Sequence, residues 1–481
     1  MLEDIIGERK KKLDNLQKAG INPYPSKIKR TFFISEALKN FNKLSASKKQ
    51  IFVVGRIMSL RDQGNLIFFD LKDESGKIQG VLKKDNLKNF KILKQNLDIG
   101  DFLSIGGPLF KTKKGEKSIE LKSAEIIVKS MRPLPAHWYG LEDIETRLRK
   151  RYLDILTHPE VKEIFVKKNI FWQTIRVYLQ KEGFLEVETP ILEATPGGAE
   201  AEPFKTHHNA LNTDFCLRIS LEIALKKLLV AGYEKVFEIG RIFRNEGIDA
   251  EHLQDYTQLE FYIAYENQDT LMKFTEKMYK EVIKKTCGSL KTKWNGKMID
   301  WGKKWASVDY FKIFKEKVGL DLNKATREDL FKKARTSGLD ADLALGRGRL
   351  IDLLYKKFVR PTLIQPVFLV NQPAEIEPLA KRSKQNPNIV YRFQIVACGS
   401  ELGKGFSEAN DPLDQRERFE EQMKLRAKGD KEAQILDEDF LEALEYGMPP
   451  AAGFGLSERL FAVLMDKPIR ETIFFPLMKE K

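Results

Sequence analysis

The N-terminal part of the chain alternates between short apolar segments and polar turns. From residue 49 to 131, five segments show the period-two alternation that is typical of strands. They are QIFVVGRIMSL, NLIFFDLKD, KIQGVLKK, DFLSIGGPLF and SIELKSAEIIV, and turns such as DESGK and KTKKGEK separate them. Short strands in this arrangement predict a small β-barrel, and the OB-fold is the barrel that they favour.

The segments before and after the predicted barrel do not show its strand pattern. Residues 1–48 begin with a basic helical pattern that is expected to end at the prolines of NPYPSK, and we interpret them as an N-terminal helical extension. Residues 132–145 include RPLPAHWYG and are interpreted as a linker. The barrel domain is therefore assigned to residues 49–131.

Residues 146–481 mix helical and strand patterns. Helical spacing over 161–183 and in LEIALKKLLVAG predicts helices, and so do the Lys- and Glu-rich segments 268–286 and 324–359. Strands are predicted for FLEVETPIL, KVFEIGRIFRNE, TQLEFYIAY, FQIVACGSELGKGFSE and GFGLSE, the last followed by the short helix RLFAVLMD. Because these strands mostly follow one another directly, we expect an α+β domain with a mostly antiparallel sheet flanked by helices.

One predicted hairpin concentrates polar groups. KVFEIGRIFRNE and TQLEFYIAY are expected to pair with a polar loop between them. Since side chains alternate along a strand, Arg244 and Glu246 should share one face, and Gln258, Glu260 and Tyr262 should share one face of the next strand. The hairpin thus offers a cation, several acceptors and an aromatic ring to one ligand.

Composition narrows the class of protein. The 481 residues are 42% hydrophobic and 32% charged, which is typical of a globular protein with more than one domain. No apolar run of about 18 residues occurs, so no membrane span is predicted, and the charged N-terminus does not resemble a secretory signal. The scattered cysteines Cys216, Cys287 and Cys398 fit a reducing compartment, so a cytoplasmic location is expected.

The charge balance is strongly basic. A net charge of +14 and a pI near 9.3 favour a polyanionic partner such as a nucleic acid. A lysine-rich chain with solvated charged faces explains the same balance equally well, so charge alone does not decide between the two.

Several charged residues lie in otherwise apolar elements. Arg244 and Arg459 need an anion if they are buried, and a guanidinium also offers a fork to phosphate oxygens and a flat face for stacking. Glu401 in GSELG is a candidate Mg²⁺ ligand. Glu222, Glu260 and Glu408 are further carboxylates in such elements, and each alone can be a structural ion-pair partner. Together with Tyr262 and Phe406 they could line a pocket for a cationic, partly aliphatic substrate.

The barrel carries its own candidate site. In NLIFFDLKD, Phe69 and Leu71 share the expected core face, so Phe68 points outward and could stack on a nucleobase. Gln79 on the next strand could bind base edges, and Arg56 could hold phosphate or stack. An ordinary surface or domain-interface position explains Phe68 equally well.

Long segments resemble the class II aminoacyl-tRNA synthetases. FRNEGI with TQLEFY is similar to motif 2, GFLEVETPIL to motif 1, and GFGLSERLFAVLMDKPIRETIFFP to motif 3 of that class. PGGAEAEPFKTHHNALNTDFCLRISLE, GKGFSEANDPLDQRERF and DEDFLEALEYGMPP resemble the lysyl-tRNA synthetases in particular. The resemblance extends from about residue 50 to the C-terminus. It implies an OB-fold anticodon-binding domain, a class II catalytic domain and a homodimer formed through motif 1.

The resemblance also implies roles for particular residues. An ATP site would comprise Arg244, Glu246, His252, Tyr256, Glu401, Lys404, Gly455 and Arg459. Of these residues, Arg244 and Arg459 would be catalytic, and Mg²⁺ would be held by Glu401 and Gln394. A lysine site would comprise Gly198, Glu222, Arg244, Glu260, Tyr262, Phe406 and Glu408. The anticodon would bind Arg56, Phe68 and Gln79.

Some positions depart from the pattern of the family. Glu251 and Leu253 replace an arginine and an asparagine beside His252, and Glu202 replaces an arginine. Gln394 stands at the position of a second metal-binding glutamate, and Lys404 stands at that of an asparagine. We hypothesise that Lys404 contacts ATP phosphate and partly replaces a metal. Motif 3 is one residue short before Arg459.

Two functions of different classes follow from these residues. The first is ATP-dependent ligation of L-lysine to its transfer RNA, tRNA(Lys), through a lysyl-adenylate. The alternative is a synthetase-like paralogue with impaired adenylation that binds tRNA or lysine. An aspartate- or asparagine-specific enzyme is disfavoured, because Glu222, Glu260 and Glu408 would repel an acidic side chain.

Overall fold

The chain divides into two compact units, Met1–Arg147 and Leu148–Lys481. The computed structural model describes residues 2–135, 142–247, 249, 251–342, 345–430 and 433–480, and every helix and strand given below belongs to these residues. The predicted linker 132–145 lies in part outside the described residues, since 136–141 are not among them.

The first unit is a barrel preceded by helices. Helices α1 (Leu2–Lys18), α2 (Ile34–Lys39) and α3 (Phe41–Ser47) come first, and α4 (Phe90–Asn96) follows the third strand. The strands are β1 (Ile51–Asp62), β2 (Leu66–Lys72), β3 (Lys77–Lys83), β4 (Phe102–Gly107), β5 (Leu109–Lys111), β6 (Lys117–Glu120) and β7 (Ser123–Val128). In the described part of the chain they form one sheet in the order β5-β6-β3-β2-β1-β4-β7.

The strand pattern of the barrel corrects the prediction in two places. DFLSIGGPLF was expected to be one strand, but Pro108, which has no N–H to donate, separates β4 from β5. SIELKSAEIIV also divides, because the chain changes partner between β6 and β7. Leu121 N–H donates to Val81 O at 3.0 Å, whereas Lys122 N–H donates to Gly106 O at 2.8 Å. The segment therefore pairs with β3 through β6 and with β4 through β7.

The N-terminal helix is anchored to this unit. Helix α1 ends before Gly20, which has a left-handed φ of 74°, and so stops short of the prolines at which it was expected to end. Leu16 is fully buried in the barrel core. The buried Arg9 donates to Ile99 O at 3.0 Å and to Ser130 O at 2.9 Å. Residues 1–48 therefore pack on the barrel as part of one unit.

The second unit is an α+β domain. Its helices are α5 (Ile144–Arg149, which begins before the boundary), α6 (Arg151–Thr157), α7 (Pro159–Lys181), α8 (Glu222–Val230), α9 (Gln268–Cys287), α10 (Tyr310–Val318), α11 (Arg327–Thr336), α12 (Arg347–Leu354), α13 (Pro412–Ala427), α14 (Glu438–Glu445) and α15 (Arg459–Leu464). No described helix is long and apolar enough to cross a membrane.

The strands of the second unit form one large sheet and two small ones. They are β8 (Leu185–Glu186), β9 (Leu192–Glu193), β10 (Lys205–His208), β11 (Thr213–Leu217), β12 (Lys235–Phe243), β13 (Asp255–Ala264), β14 (Lys291–Trp294), β15 (Lys297–Asp300), β16 (Ala306–Asp309), β17 (Val367–Pro373), β18 (Ile389–Ala397), β19 (Ser400–Ser407) and β20 (Ala451–Ser457). The large sheet has the order β16-β17-β18-β19-β20-β13-β12-β8 among the described residues. Only its pairs β16–β17 and β12–β8 are parallel in the described chain, so the predicted mostly antiparallel sheet is confirmed.

Three predicted elements of this unit were wrong in extent. FLEVETPIL gives only the two-residue β8, because the Thr189 N–H and hydroxyl donate to the Glu238 carboxylate at 3.0 and 2.7 Å instead of extending the ladder. FQIVACGSELGKGFSE is two strands, because Cys398 and Gly399 both have positive φ, 58° and 70°, and turn the chain back. The segment 324–359 is broken after α11 at Gly338, whose φ is 71°.

The two faces of the large sheet have different surroundings. Phe261, Phe454 and Phe393 point to one face and belong to the main hydrophobic core, to which α7 and α9 contribute. Alternation then sends Gln258, Glu260 and their neighbours to the opposite face. That face carries a second hydrophobic cluster, which includes Tyr262 and Phe406, and beside it the site described next.

Candidate active site

Part of this second face of the large sheet forms the floor of a cleft. Directly opposed residues of antiparallel strands point to the same face, so the register defines rows of side chains. One row runs across β18, β19, β20 and β13 through Arg392, Phe406, Gly453 and Tyr262. The next row runs through Gln394, Lys404, Gly455 and Glu260. Residues that are far apart along the chain thus become neighbours.

The glycines of β20 give this floor its depth. A Cβ at Gly453 would lie 2.3 Å from both Glu408 Oε1 and Tyr262 Cε1, so only glycine fits beneath them. At Gly455 the nearest atom to such a Cβ is Glu260 Cγ at 3.5 Å, which is ordinary contact. The space above Gly455 is therefore open cleft, whereas Gly453 is packed.

The cleft has a volume of about 970 Å³ and collects every residue of the expected ATP site. Its lining includes Arg244, Glu246, His252, Tyr256, Glu401, Lys404, Gly455 and Arg459, together with Gln394. A cavity of this size is large enough for a nucleotide. The shortened motif 3 thus still places Arg459 in the cleft, at the first residue of α15.

Arg244 is held at the end of the hairpin and not within it. Strand β12 ends at Phe243, so Arg244 and Glu246 follow the strand and the expected alternation at this point was wrong. Arg244 donates from Nε to Ile219 O at 3.2 Å, and its guanidinium lies 5.7 Å from the Tyr256 ring. Burial raises the pKa of Tyr256, so its ring is neutral and available for stacking.

The loop between β12 and β13 positions its polar groups through local hydrogen bonds. Asp249 accepts from the His252 N–H at 2.8 Å and lies 2.7 Å from His252 Nδ1. Burial alone would raise the pKa of Asp249, but hydrogen bonds from Glu251 and His252 lower it. Glu251 contacts the Ser400 hydroxyl and lies 3.4 Å from Arg360, so a cation offsets the unexpected acid of this loop.

The residues of the expected lysine site cluster beside the cleft. Glu260 accepts from the Ser220 hydroxyl at 2.7 Å, the Leu221 N–H at 3.0 Å and the Tyr262 hydroxyl at 3.0 Å. Gly198 has a left-handed φ of 82°, and a Cβ there would lie 2.9 Å from the Cβ of Glu222. Apart from Arg244, the expected members Gly198, Glu222, Glu260, Tyr262, Phe406 and Glu408 are all buried.

Lys226 belongs to this cluster, and sequence reasoning missed it. Its buried ammonium lies 2.6 Å from both Glu222 and Glu408 and 5.4 Å from the Phe406 ring. The signal was present in LEIALKK, where Glu222 and Lys226 stand four residues apart on a predicted helix.

The charges of this cluster do not balance. Burial raises the pKa of Glu222 to about 7 even though Lys226 opposes the shift, and burial keeps the pKa of Glu408 well above its ordinary value. Burial alone would lower the pKa of Lys226, but Glu222 and Glu408 raise it. The ammonium of Lys226 thus lies between Glu222 and Glu408, Glu260 is a third buried glutamate of the site, and the cluster can accept further positive charge.

The two candidate metal ligands, Glu401 and Gln394, differ in charge and in hydrogen bonding. The Gln394 amide nitrogen donates to Glu401, and the Gln394 amide oxygen has no hydrogen-bond partner among the described residues. No group of three or more His, Cys, Asp or Glu side chains suited to a metal occurs within the described chain. Glu401 and this amide oxygen fit one Mg²⁺ that takes most of its ligands from phosphates and water.

The barrel presents its candidate residues on one face. Phe69 and Leu71 are buried in the barrel core as predicted, and Phe68 points to the other face and is partly exposed. Gln79 accepts from the Ser118 hydroxyl at 2.9 Å. Arg56 lies 4.3 Å from the Phe102 ring, and burial lowers its pKa.

The protein families and the individual relatives that match this chain agree with one another. The family described as tRNA synthetases class II (D, K and N) matches residues 143–479, and the OB-fold nucleic acid binding domain matches residues 51–134. Lysine–tRNA ligase of Carboxydothermus hydrogenoformans is 43% identical over 487 residues, covering 100% of this chain and 99% of the relative. The Moorella thermoacetica enzyme of the same name is also 43% identical, covering 99% and 98%. That of Thermotoga maritima is 41% identical, covering 100% and 97%.

Substitution of the two floor glycines tests this geometry. Gly453→Ala should destabilise the second unit by about 1–3 kcal/mol, because the methyl group overpacks Glu408 and Tyr262. Gly455→Ala is the matched control and should change stability by less than about 1 kcal/mol, since its methyl group meets only ordinary contacts. Urea unfolding followed by tryptophan fluorescence measures both. Equal stabilities of the two variants would contradict the close packing around Gly453.

Proposed function

The chain belongs to the lysine–tRNA ligases of the class II tRNA synthetases, and on this premise we propose that it joins L-lysine to tRNA(Lys) at the expense of ATP. The reaction passes through a lysyl-adenylate and releases pyrophosphate and AMP. No finding favours the alternative of a binding protein with impaired adenylation.

The charge of the buried cluster is the observation that supports lysine as the amino-acid substrate. Glu222 and Glu408 share one internal cation, Lys226, and Glu260 is a third buried glutamate, so the site suits a substrate with two ammonium groups. We propose that Gly198 and Glu222 bind the α-amino end and that Glu408 and Tyr262 bind the ε-ammonium end, with Phe406 over the methylenes. Glu260 holds Tyr262 and Ser220 in place through hydrogen bonds.

The cleft above this cluster is proposed as the ATP site. Arg244 binds the α-phosphate and the lysine carboxylate, and Arg459 packs on the adenine face opposite Tyr256. Glu246 recognises the adenine amino group, His252 reaches the terminal phosphates, and Gly455 leaves room above the floor. This assignment is supported by the convergence of all these side chains on one cleft.

The chemistry then requires mainly positioning and charge. A lysine carboxylate oxygen attacks the α-phosphorus, the bond from that phosphorus to the bridging oxygen of the β-phosphate breaks, and pyrophosphate leaves. Arg244 acts as a catalytic residue because it stabilises the negative charge that develops on the phosphoryl oxygens, and Arg459 acts as one by holding the adenine so that the α-phosphate is in position. In the second step the tRNA 3′-terminal hydroxyl attacks the lysyl carbonyl, loses its proton and displaces AMP.

Mg²⁺ is proposed as the metal, with Glu401 as its carboxylate ligand and the Gln394 amide oxygen as a weaker one. When bound, it would neutralise phosphate charge. The unpaired amide oxygen of Gln394 supports this assignment.

The first unit is proposed as the anticodon-binding domain. Its match to an OB-fold nucleic acid binding domain and the shared face of Arg56, Phe68 and Gln79 support this role. Phe68 would stack on a base, Gln79 would bind a base edge, and Arg56 would hold phosphate. The net charge of +14 favours the same polyanionic partner.

A homodimer formed through the segment from α7 to β9 is proposed as the working assembly. Large apolar side chains in this segment are exposed, as is common at interaction surfaces. They are Val166, Val177, Leu185, Ile191 and Leu192. A cytoplasmic location is proposed as well, supported by the three free cysteines.

Lysine-dependent ATP–pyrophosphate exchange tests the function directly. We expect exchange with lysine and at least about tenfold less with ornithine, whose shorter chain cannot reach both ends of the site. Arginine and aspartate serve as further controls, and aspartate should give none because three carboxylates repel it. A folded protein that binds tRNA but supports no exchange with any of these amino acids would contradict the proposal.

The affinity for lysine should increase with pH through neutrality. Below about 7, Glu222 is mostly protonated and cannot pair with an ammonium group, so binding improves as the carboxyl ionises. Between about pH 6 and pH 7.5 we expect the dissociation constant to decrease, with release of a proton on binding. Calorimetric titration in buffers of different ionisation enthalpy measures both quantities.

Two variants complete this measurement. Glu222→Gln should bind lysine weakly and show a smaller pH dependence, because the amide cannot ionise whereas Glu408 still can. Glu186→Gln is the control. It removes a carboxylate outside the cluster that pairs with Arg176 at 2.8 Å, and this variant should keep the pH dependence of lysine binding. A Glu222→Gln variant with the full pH dependence would assign the titration to another group.

Phe68→Ala should weaken tRNA binding without affecting amino-acid activation. Loss of one stacked base costs about 1–3 kcal/mol, so the KM for tRNA(Lys) should increase about five- to hundredfold. Phe33→Ala, which removes an exposed phenylalanine from the N-cap of α2, is the matched control. Aminoacylation and pyrophosphate-exchange assays separate the two steps. An unchanged KM in Phe68→Ala would identify Phe68 as an ordinary surface residue.

A further inference from the structure

Lys404 places a fixed positive charge in the floor of the cleft. It lies on β19 between Gln394 of β18 and Gly455 of β20, in the same row as Glu260. Its side chain is one-third exposed and lines the cleft. Because Gly455 opposite it has no side chain, nothing on β20 separates this ammonium from the open space.

Glu377 forms an ion pair with Lys404, and Arg392 adds a second positive charge beside the same carboxylate. The Lys404 ammonium donates to Glu377 Oε2 at 3.0 Å, and Arg392 Nε lies 3.3 Å from the same oxygen. Burial alone would lower the pKa of Lys404, but Glu377, Glu222 and Glu401 together raise it. Burial alone would raise the pKa of Glu377, but Lys404 and Arg392 lower it. Two cations thus share one anion, and the group is net positive.

The residue opposite Lys404 adds no negative charge. Gln394 is a neutral amide that donates to Glu401, so the two residues together carry one carboxylate. A second carboxylate at 394 would attract another divalent cation, but it would also form an ion pair with Lys404. Gln394 and Lys404 are therefore chemically consistent with each other, and together they make this part of the cleft less anionic.

We propose that Lys404 is a protein-borne cation for the phosphates of ATP, and that with Gln394 it reduces the divalent ions bound with the nucleotide to one. The proposal rests on the proposed function only in that ATP occupies the cleft. A lysine ammonium is a compact point charge well suited to a phosphate oxygen, and it stays in place when metal is scarce. The nucleotide should consequently keep measurable affinity without metal.

The experiment counts metal ions and measures metal-free affinity on the full-length protein. Mn²⁺ bound per bound non-hydrolysable ATP analogue is determined by electron paramagnetic resonance, and analogue affinity in EDTA is determined by calorimetry. The variants are Lys404→Gln, the double variant Gln394→Glu with Lys404→Asn, and the control Lys356→Gln. Lys356 lines the same cleft but pairs with Asp352 at 2.7 Å.

The wild type should bind one Mn²⁺ per analogue, and the double variant should bind at least one more. Lys404→Gln should lose about ten- to hundredfold in metal-free affinity, whereas Lys356→Gln should change it less than about twofold. Arg392 still pairs with Glu377 in Lys404→Gln, so this variant should keep the wild-type circular dichroism spectrum.

Two results would overturn the proposal. One is two or more Mn²⁺ per analogue in the wild type, and the other is an unchanged metal-free affinity in Lys404→Gln. Lysine-dependent exchange by the wild type is measured separately, so failure of the proposed function is distinguished from failure of the role of Lys404.

Discussion

The pairing of β20 between β13 and β19 is the constraint on which the site depends. These three strands come from distant parts of the chain, and their register brings Tyr262, Phe406 and Gly453 into one row. The core face of the same strands, with Phe261 and Phe454, fixes the register, because a shift of one residue would exchange the two faces. Hydrophobic packing beneath the sheet therefore determines where the polar groups lie above it.

The polar face carries a charge pattern that suits its two substrates. The side of the proposed lysine site has an excess of buried carboxylates, and the side of the proposed ATP site has an excess of arginine and lysine. Buried groups of one sign destabilise a folded protein unless a partner neutralises them. Here the ammonium of Lys226 reduces the repulsion between Glu222 and Glu408, and burial raises the pKa of Glu222, which favours its protonated form.

Sequence patterns predicted the hairpin of β12 and β13 and the barrel, because apolar periodicity and turn residues are local signals. They failed where long-range partners decide the structure. The break between β6 and β7 follows from a change of strand partner, and β8 is short because Glu238 binds Thr189. Residue types and motif resemblance grouped side chains that line one cleft, but nothing local in the sequence showed that Glu377 and Arg392 would join Lys404.

The position of Lys226 between Glu222 and Glu408 limits how this protein can evolve. Replacing Lys226 alone leaves two buried carboxyl groups without their cation, and such a loss typically costs several kcal/mol. A mutational path that replaces Lys226 must therefore also change Glu222 and Glu408 before a stable fold returns. Since Glu222 and Lys226 stand on one helix and Glu408 follows a distant strand, those changes are separate events in the gene.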